Sequence, residues 1–212
     1  MGDDVDESKR ATLRRFAALG TAGAGSLAKL TGGAEAEPDS GAEAGERSDA
    51  RDAIVGYLAT TPGAHLSKVR DDLQLATGET QYHVRDLVSQ GVIESRRDGD
   101  YRRFFPAGRF DEFQQVALGY LRRDTPRGML VELLRDPDAT GGDLAAELDV
   151  SRPTISKYAG QLESAGLLSR EDGYAVERPE TVLVLLVRYA DSFDENAASL
   201  ADEAADLVAF DG

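Results

Sequence analysis

The stretch from Thr77 to Gln90 carries three apolar residues and one threonine at helical spacing. They fall on one helical face and are Thr80, Val84, Leu87 and Val88. The opposite face is polar and holds Glu79, Gln81, Tyr82 and Arg85. This division predicts an amphipathic helix that packs one side on a core and presents hydrogen-bonding groups on the other. We expect Thr77 to be its N-cap and Gly91 to end it in the left-handed conformation that glycine accepts.

A hairpin rich in arginine follows this helix. Strand-like runs from Val92 to Arg97 and from Tyr101 to Phe105 flank Asp98-Gly99-Asp100, and Asp-Gly between two such runs is typical of a tight turn. The two runs carry four arginines, Arg96, Arg97, Arg102 and Arg103. Guanidinium groups beside a helix of donors and acceptors fit a DNA duplex, with the arginines on phosphates and the helix in the major groove.

The elements before this helix complete a unit that occurs twice. Apolar spacing predicts one helix from Asp52, ended by Pro62-Gly63, and a second from Ser67 to Leu73. A shift of 75 positions then places core and cap residues on matching residues: Leu58 on Leu133, Pro62 on Pro137, Val69 on Leu144, Leu87 on Leu162 and Gly91 on Gly166. A register kept through core and caps alike indicates an internal repeat. The second copy opens its polar helix at Ser151 and turns its hairpin at Asp172-Gly173.

Two copies of helix, helix, turn, helix and hairpin predict a mainly α protein with small β-wings. The architecture is two winged helix-turn-helix domains joined by a helix and followed by C-terminal helices. The predicted boundaries are an acidic, largely disordered segment over residues 1–50, the first domain over 51–108, the connecting helix over 109–124, the second domain over 125–179 and a C-terminal helical segment over 180–212.

The segments on either side of the second copy are more apolar than an exposed surface allows. Phe110, Phe113, Ala117 and Tyr120-Leu121 recur at helical spacing in the connecting segment. Thr181 to Tyr189 is almost wholly apolar, and Ala197 to Val208 offers a face of small and apolar residues. Because two small domains leave little to cover these segments, the sequence predicts a homodimer held by the connecting helix and residues 181–208.

The N-terminal residues allow two interpretations. Their mixture of acidic and small residues cannot build a core, so we expect residues 1–47 to be dispensable for folding. Arg14-Arg15, a weakly apolar run and Ala34-Glu35-Ala36 together are similar to a twin-arginine export signal. Phe16 directly after the arginines and Lys29 within the run depart from such a signal. They favour a short amphipathic or frayed helix in a cytoplasmic protein.

The composition excludes several kinds of catalytic and metal site. The 212 residues include no cysteine, which excludes disulfides, thiol chemistry and cysteine-ligated zinc. His65 and His83 lack metal-ligand spacing, and no nucleophile elbow, phosphate-binding glycine loop or zinc-protease motif occurs. The sequence therefore predicts no catalytic residue, cofactor or metal, and it marks no effector pocket. The longest apolar run, Val182 to Val187, is far shorter than the roughly 20 residues that cross a bilayer.

The charge is strongly acidic and unevenly distributed. A formal net charge of −15 and a pI of 4.5 argue against a general DNA binder, which usually has a basic face. Residues 1–50 carry −4, residues 51–109 carry +1 and residues 110–212 carry −12. Lysine supplies only Lys9, Lys29, Lys68 and Lys157 among 24 basic residues. This acid-rich, arginine-preferring composition is typical of a haloarchaeal cytoplasmic protein, in which excess acid maintains solubility.

Two passages carry a resemblance to a known family. GETQYHVRDLVSQGVIESRRDGDYRRFFP at 78–106 and DVSRPTISKYAGQLESAGLLSREDGY at 149–174 resemble the archaeal winged helix-turn-helix transcription regulators related to the MarR and ArsR groups. The tandem arrangement resembles haloarchaeal members in particular. The resemblance implies sequence-specific binding of double-stranded DNA and control of transcription. It places the base-reading helix on Gly78 to Arg85 and on Arg152 to Lys157, and the wing on Ser95 to Arg103.

The candidate DNA-binding residues combine the pattern with this resemblance. They are Gly78, Glu79, Gln81, Tyr82, Arg85, Arg96, Arg97, Arg102, Arg103, Arg152, Thr154, Ser156 and Lys157. Gln81 suits an adenine edge, and Arg85 suits a guanine or a phosphate. Glu79 either accepts from a cytosine or complements the helix dipole. We interpret His83 as a histidine at the edge of the core.

Alternatives to this interpretation remain at the sequence level. The polar residues could be ordinary exposed side chains, and the arginines could be a solvated charge run. Strand alternation turns one arginine of each adjacent pair inward. A winged-helix interaction module without DNA binding would have a first wing as acidic as the second, Ser169 to Gly173. The first wing of this chain is not acidic in this way. We therefore expect a regulator whose first copy does most of the DNA binding.

Overall fold

The computed structural model of the protein describes residues 11–18 and 40–210, with side chains over 11–18 and 49–204. The chain forms two compact units, Met1–Arg109 and Phe110–Gly212. Each contains helices and a small antiparallel sheet, which confirms the predicted fold class. Among the described residues, no helix has the length and apolar character needed to cross a membrane.

The first unit contains the predicted order of helix, helix, helix and hairpin, with one further helix and one short strand. The first predicted helix begins at Ser40 rather than at Asp52, so residues 40–50, which were expected to be largely disordered, are helical. Its elements are α1 (residues 11–18), α2 (Ser40–Thr60), β1 (Ala64–His65), α3 (Leu66–Asp72), α4 (Thr77–Ser89), β2 (Ile93–Asp98) and β3 (Tyr101–Pro106). The strands form an antiparallel sheet in the order β1-β3-β2. A two-residue turn closes the hairpin, with Gly99 at φ 59° in its first central position, where glycine is favoured.

The core of the first unit lies between its helices and one face of the hairpin. It is built from fully buried side chains that include Ile54, Tyr57, Leu58, Val69, Leu73, Leu87 and Ile93. The hydroxyl of Tyr57 donates to a carboxylate oxygen of Asp72 at 2.8 Å, which ties α2 to α3. Burial of these apolar side chains is the main stabilising contribution.

Helix α1 also belongs to this core. Leu13 is only 7% exposed, and the ring of Phe16 meets that of Tyr57 edge to face at 5.4 Å. The expectation that residues 1–47 are dispensable for folding stays a prediction, although Leu13 and Phe16 of α1 add two apolar side chains to the core of the first unit. The other predictions for residues 1–10 and 19–39, including the export motif at Ala34-Glu35-Ala36, lie outside the described residues.

The second unit repeats the fold with added helices. Its elements are α5 (Glu112–Leu121), α6 (Asp124–Arg135), α7 (Gly141–Glu147), α8 (Arg152–Ser164), β4 (Leu168–Ser169), β5 (Ala175–Val176), α9 (Pro179–Arg188) and α10 (Glu195–Phe210), with a 3-10 turn at Ala190–Ser192. The strands β4 and β5 are antiparallel, with Leu168 opposite Val176. Its core includes the fully buried Leu118, Leu121, Met129, Leu130, Leu144, Leu162, Val182 and Leu186.

The caps of the two polar helices agree with the sequence only in part. Ser151 caps α8 as predicted, accepting the Thr154 N–H at 3.3 Å. The prediction for Thr77 is wrong by one residue, because Ala76 is the N-cap of α4 and Thr77 is the first helical residue. Alanine has no side-chain acceptor, and the Glu79 carboxylate instead accepts the Ala76 N–H at 3.3 Å. Both helices end before a glycine with positive φ, Gly91 at 68° and Gly166 at 69°, as predicted.

Candidate nucleic-acid interface

Helix α4 presents its polar face to solvent. Thr80, His83, Val84 and Leu87 are buried beneath it, which confirms the predicted inner face and the interpretation of His83. Gly78, Gln81, Tyr82 and Arg85 are exposed, with the Tyr82 ring 65% accessible. A side chain at Gly78 would meet nothing within 4 Å, so the packing of the chain gives no reason for glycine there.

Glu79 differs from its neighbours on this face. It is half-buried, and its carboxylate accepts the Ala76 N–H at 3.3 Å. A carboxylate in the first helical turn satisfies a backbone donor and complements the helix dipole. This geometry favours the capping interpretation of Glu79 over a contact with cytosine.

The wing arginines divide between the two faces of the hairpin. Opposite residues in an antiparallel pair point the same way, and the register pairs Arg97 with Arg102 and Arg96 with Arg103. Arg97 and Arg102 are exposed, whereas Arg96 is half-buried. Arg97 donates from Nε to the Gly99 carbonyl at 3.3 Å, which holds its side chain along the turn.

The position of Arg103 differs from the prediction that this side chain contacts DNA. It is 3% exposed, its Nε forms a short ion pair with Asp98, and its Nη1 donates to the Gly63 carbonyl at 3.0 Å. A guanidinium held by a carboxylate and a carbonyl inside the unit does not reach a phosphate. Removing one partner of such a buried pair costs about 3–5 kcal/mol, so Arg103 is a structural residue of the wing.

A groove lies between helix α4 and the wing. It has a volume of about 620 Å³ and is open along one side. Gln81 and Arg85 line it from α4, and Arg102 lines it from β3. The groove also contains residues that sequence reasoning missed: His65, Ser67, Asp100 and Tyr101. The structure thus brings three predicted site residues to one surface that combines a helix face with a basic strand.

Tyr101 and His65 fix one wall of this groove. Their rings stack at 4.9 Å with an interplanar angle of 28°. The His65 Nδ1 also accepts the Lys68 N–H at 3.2 Å and so caps α3. Burial, and then the nearby Arg103 guanidinium, lower the pKa of His65 below its usual value. The residue that could have revealed this wall from sequence is Tyr101, an aromatic side chain directly after the turn.

The second unit offers a weaker surface of the same kind. Arg152, Ser156 and Lys157 are exposed on α8, but Thr154 is half-buried and its hydroxyl lies 2.8 Å from that of Ser151, within the cap. The wing is reduced to two-residue strands. Its one arginine, Arg170, lies 3.5 Å from Glu163.

The two wings also differ in charge. Glu171 and Asp172 are exposed beside Arg170, so the second wing carries more acid than base. Within residues 11–18 and 40–210, no group of three or more histidine, aspartate or glutamate side chains is placed to hold a metal ion. Of the two wings, the first is the more basic.

Comparisons with known proteins agree with these geometries. A family model described as an N-terminal HTH domain matches residues 48–118, and the MarR family matches residues 125–178. An uncharacterized HTH-type transcriptional regulator of Methanocaldococcus jannaschii is 27% identical over 126 residues, which cover 59% of this chain and 32% of that protein. The chain thus spans about a third of the length of the curated relative that it matches.

No solved structure matches the chain. The two family matches fall on the two copies of the internal repeat, and both copies have the helices and hairpin of a winged helix-turn-helix domain. The chain therefore combines two winged helix-turn-helix domains, of which the first matches the model of an N-terminal HTH domain and the second matches the MarR family.

Proposed function

We propose that the protein is a sequence-specific DNA-binding transcriptional regulator whose first domain is dominant. The observation that carries the proposal is the groove in which Gln81 and Arg85 of α4 lie beside Arg102 of the wing. An exposed helix face supplies donors and acceptors for base edges, and an arginine beside it supplies a phosphate contact. The relative from Methanocaldococcus jannaschii, named as an HTH-type transcriptional regulator, supports the same function.

The distribution of charge supports the dominance of the first domain. Residues 51–109 carry +1, whereas residues 110–212 carry −12. In molar salt the Debye length falls to about 3 Å, so only arginines in direct contact with phosphate strengthen binding. Arg97 and Arg102 are exposed for such contact. Arg170 lies between acidic side chains instead, which favours the first wing.

The test compares two double variants that remove the same charge. Arg97→Ala with Arg102→Ala removes two cations from the first wing, and Lys157→Ala with Arg170→Ala removes two from the second unit. An operator fragment is first recovered by chromatin immunoprecipitation of the tagged protein, and its retardation is then measured for both variants. We expect the first pair to weaken binding at least tenfold and the second pair to weaken it by less than threefold.

Unfolding temperatures are measured for both variants, because a destabilised wing would mimic a lost contact. If the first pair folds and binds as wild type while the second pair does not, the dominant domain is the second. If neither pair changes binding and no genomic fragment is enriched, the protein is an interaction module without DNA binding. No enzymatic activity is part of the proposal.

We further propose that the regulator is a cytoplasmic homodimer. Its support is apolar surface on α9, where Val184 and Val187 are exposed. Support for the cytoplasm over export comes from α1, because Leu13, next to Arg14-Arg15, is buried in the first unit. Light scattering of the full chain in high salt tests the dimer, and a monomer mass would contradict it.

A further inference from the structure

We propose that the outer face of α9 is the two-fold seam at which a second copy of this chain packs. The inference rests on the proposed homodimer, but it is independent of DNA binding. It assigns one helix, one orientation and one central residue to an interface that the sequence placed only within a connecting helix and residues 181–208.

The connecting helix is already occupied inside its own unit. The ring of Phe110 lies 6.0 Å from that of Tyr189, and the Arg178 guanidinium lies 4.7 Å over the ring of Phe113. The hydroxyl of Tyr120 donates to the Gln161 carbonyl at 3.3 Å. The aromatic side chains of the connecting segment are thus half-buried against residues of the same unit, which leaves less apolar surface there for a partner.

Helix α9 retains apolar surface after this packing. Val182, Leu185 and Leu186 are buried on its inner side. On the opposite side Val184 is 60% exposed and Val187 is 39% exposed. A valine on a helix surface is ordinary when it stands alone. Two of them one turn apart form a ridge of the kind that packs against another helix.

The charges that flank this ridge indicate that the partner is a second copy of this chain. Glu180, Val184 and Arg188 stand four residues apart, and all three are exposed on the outer side of α9. When two copies of α9 pack antiparallel about an axis through Val184, Glu180 of each faces Arg188 of the other. An isologous interface requires such self-complementarity, in which residue i meets j and j meets i. A different partner would not require a pattern that is symmetrical about its own central residue.

The absence of cysteine makes a direct test possible. The chain contains none, so Val184→Cys introduces a single thiol at the proposed axis. A disulfide requires Cβ atoms about 3.5–4.5 Å apart, which two residues on a shared axis can reach. Under mild oxidation the full-length variant is expected to form a cross-linked dimer that reducing agent separates. Ser156→Cys, which is exposed on α8, is the matched control and is expected to remain monomeric on a denaturing gel.

A charge exchange tests the antiparallel orientation. Glu180→Arg alone and Arg188→Glu alone each set like charges against each other across the seam, and each is expected to raise the dimer dissociation constant at least fivefold. The double variant restores opposite charges and should return the constant to within about twofold of wild type. Sedimentation at the lowest salt that keeps the protein folded measures all four proteins.

The outcomes separate this inference from the proposals on which it rests. A wild-type dimer whose Val184→Cys variant does not cross-link, or whose double variant fails to recover, overturns the α9 seam and leaves the dimer standing. A monomeric wild-type protein overturns both. Retardation of the operator fragment is scored independently, so loss of DNA binding bears on the regulator proposal alone.

Discussion

At the residue scale, His65 connects three parts of the first unit through its ring and its backbone. Its Nδ1 accepts the Lys68 N–H, its face stacks on Tyr101, and its backbone pairs with Arg103 between β1 and β3. An acceptor at Nδ1 requires the neutral imidazole with its proton on Nε2. Protonation would remove the cap of α3 and place a second cation beside Arg103.

This arrangement makes the stability of the first unit depend on pH. Burial and Arg103 lower the folded pKa of His65 below the unfolded value of 6.5, although Asp71 and Asp72 act in the opposite direction and Lys68 adds to the lowering. The unfolded chain then binds more protons at this histidine, so the contribution of His65 to stability is fully present above about pH 6.5 and is lost as pH falls below it. We expect the unfolding temperature of wild type to decrease between pH 8 and pH 5.

The control for this prediction is a neutral cap at the same position. His65→Asn keeps a side-chain acceptor without an imidazole and should flatten the pH dependence. Thr140, the N-cap of α7, occupies the matching position in the second unit, and Thr140→Asn should leave the dependence unchanged. If His65→Asn retains the full loss of stability between pH 8 and pH 5, the titrating group is elsewhere.

At the element scale, α1 shows how a short helix joins a domain. Leu13 is buried and Phe16 packs on Tyr57, so two side chains of α1 join the core of the first unit. We expect Leu13→Ala to lower the stability of the first unit by about 2 kcal/mol, the lower end for a buried leucine, because the site is at the edge of the core. Arg14→Ala on the exposed side of α1 should change it by less than about 0.5 kcal/mol.

Native-state hydrogen exchange measures this effect within one molecule. Amides of α2 and α4 should exchange faster in Leu13→Ala, and amides of α8 in the second unit serve as an internal reference. Equal protection of α2 and α4 in wild type and variant would show that α1 adds nothing to folding, as the sequence alone suggested.

The sequence of the wing predicts its register but not which of its arginines is buried. Alternation with period two indicates that one arginine of each pair turns inward, and the Asp-Gly turn fixes the register. The pattern does not show which arginine is covered. That depends on β1, a strand of two residues that makes β3 the central strand of the sheet. Gly63 and His65 then lie beside Arg103. A two-residue strand has no periodicity from which it could be predicted.

Of the two N-caps of the polar helices, one could be predicted from sequence and the other could not. Ser151 was identifiable because its hydroxyl precedes a helix with proline in its first turn, a strong local signal. Ala76 was not, because its capping group belongs to Glu79, three residues further on. Groove residues His65 and Tyr101 come together only through the sheet, so their stack depends on tertiary structure. Local chemistry therefore predicted the elements, and pairing between distant strands decided which of their side chains are available.

At the scale of the whole molecule, the proposed DNA binding requires an acidic chain to contact a polyanion. The net charge is −15, of which −12 lies in residues 110–212. At low salt this charge repels DNA, and in molar salt the repulsion is screened within about 3 Å. Binding then depends on direct contacts, and a salt titration counts them, because the logarithm of the binding constant falls with a slope of about −0.9 per neutralised phosphate.

The salt slope is therefore the measurement that assigns DNA contacts to one unit or the other. Replacing Arg97 and Arg102 by alanine should flatten it by about two units if each contacts one phosphate. Replacing Lys157 and Arg170 removes the same charge but should flatten it by less than about one, because Arg170 lies beside Glu163, Glu171 and Asp172. Gln81→Ala should leave the slope unchanged and instead reduce discrimination at one base pair by about 1–3 kcal/mol. Equal flattening by the two double variants would show that both wings lie on phosphate, and that the excess acid of the second unit does not keep it from DNA.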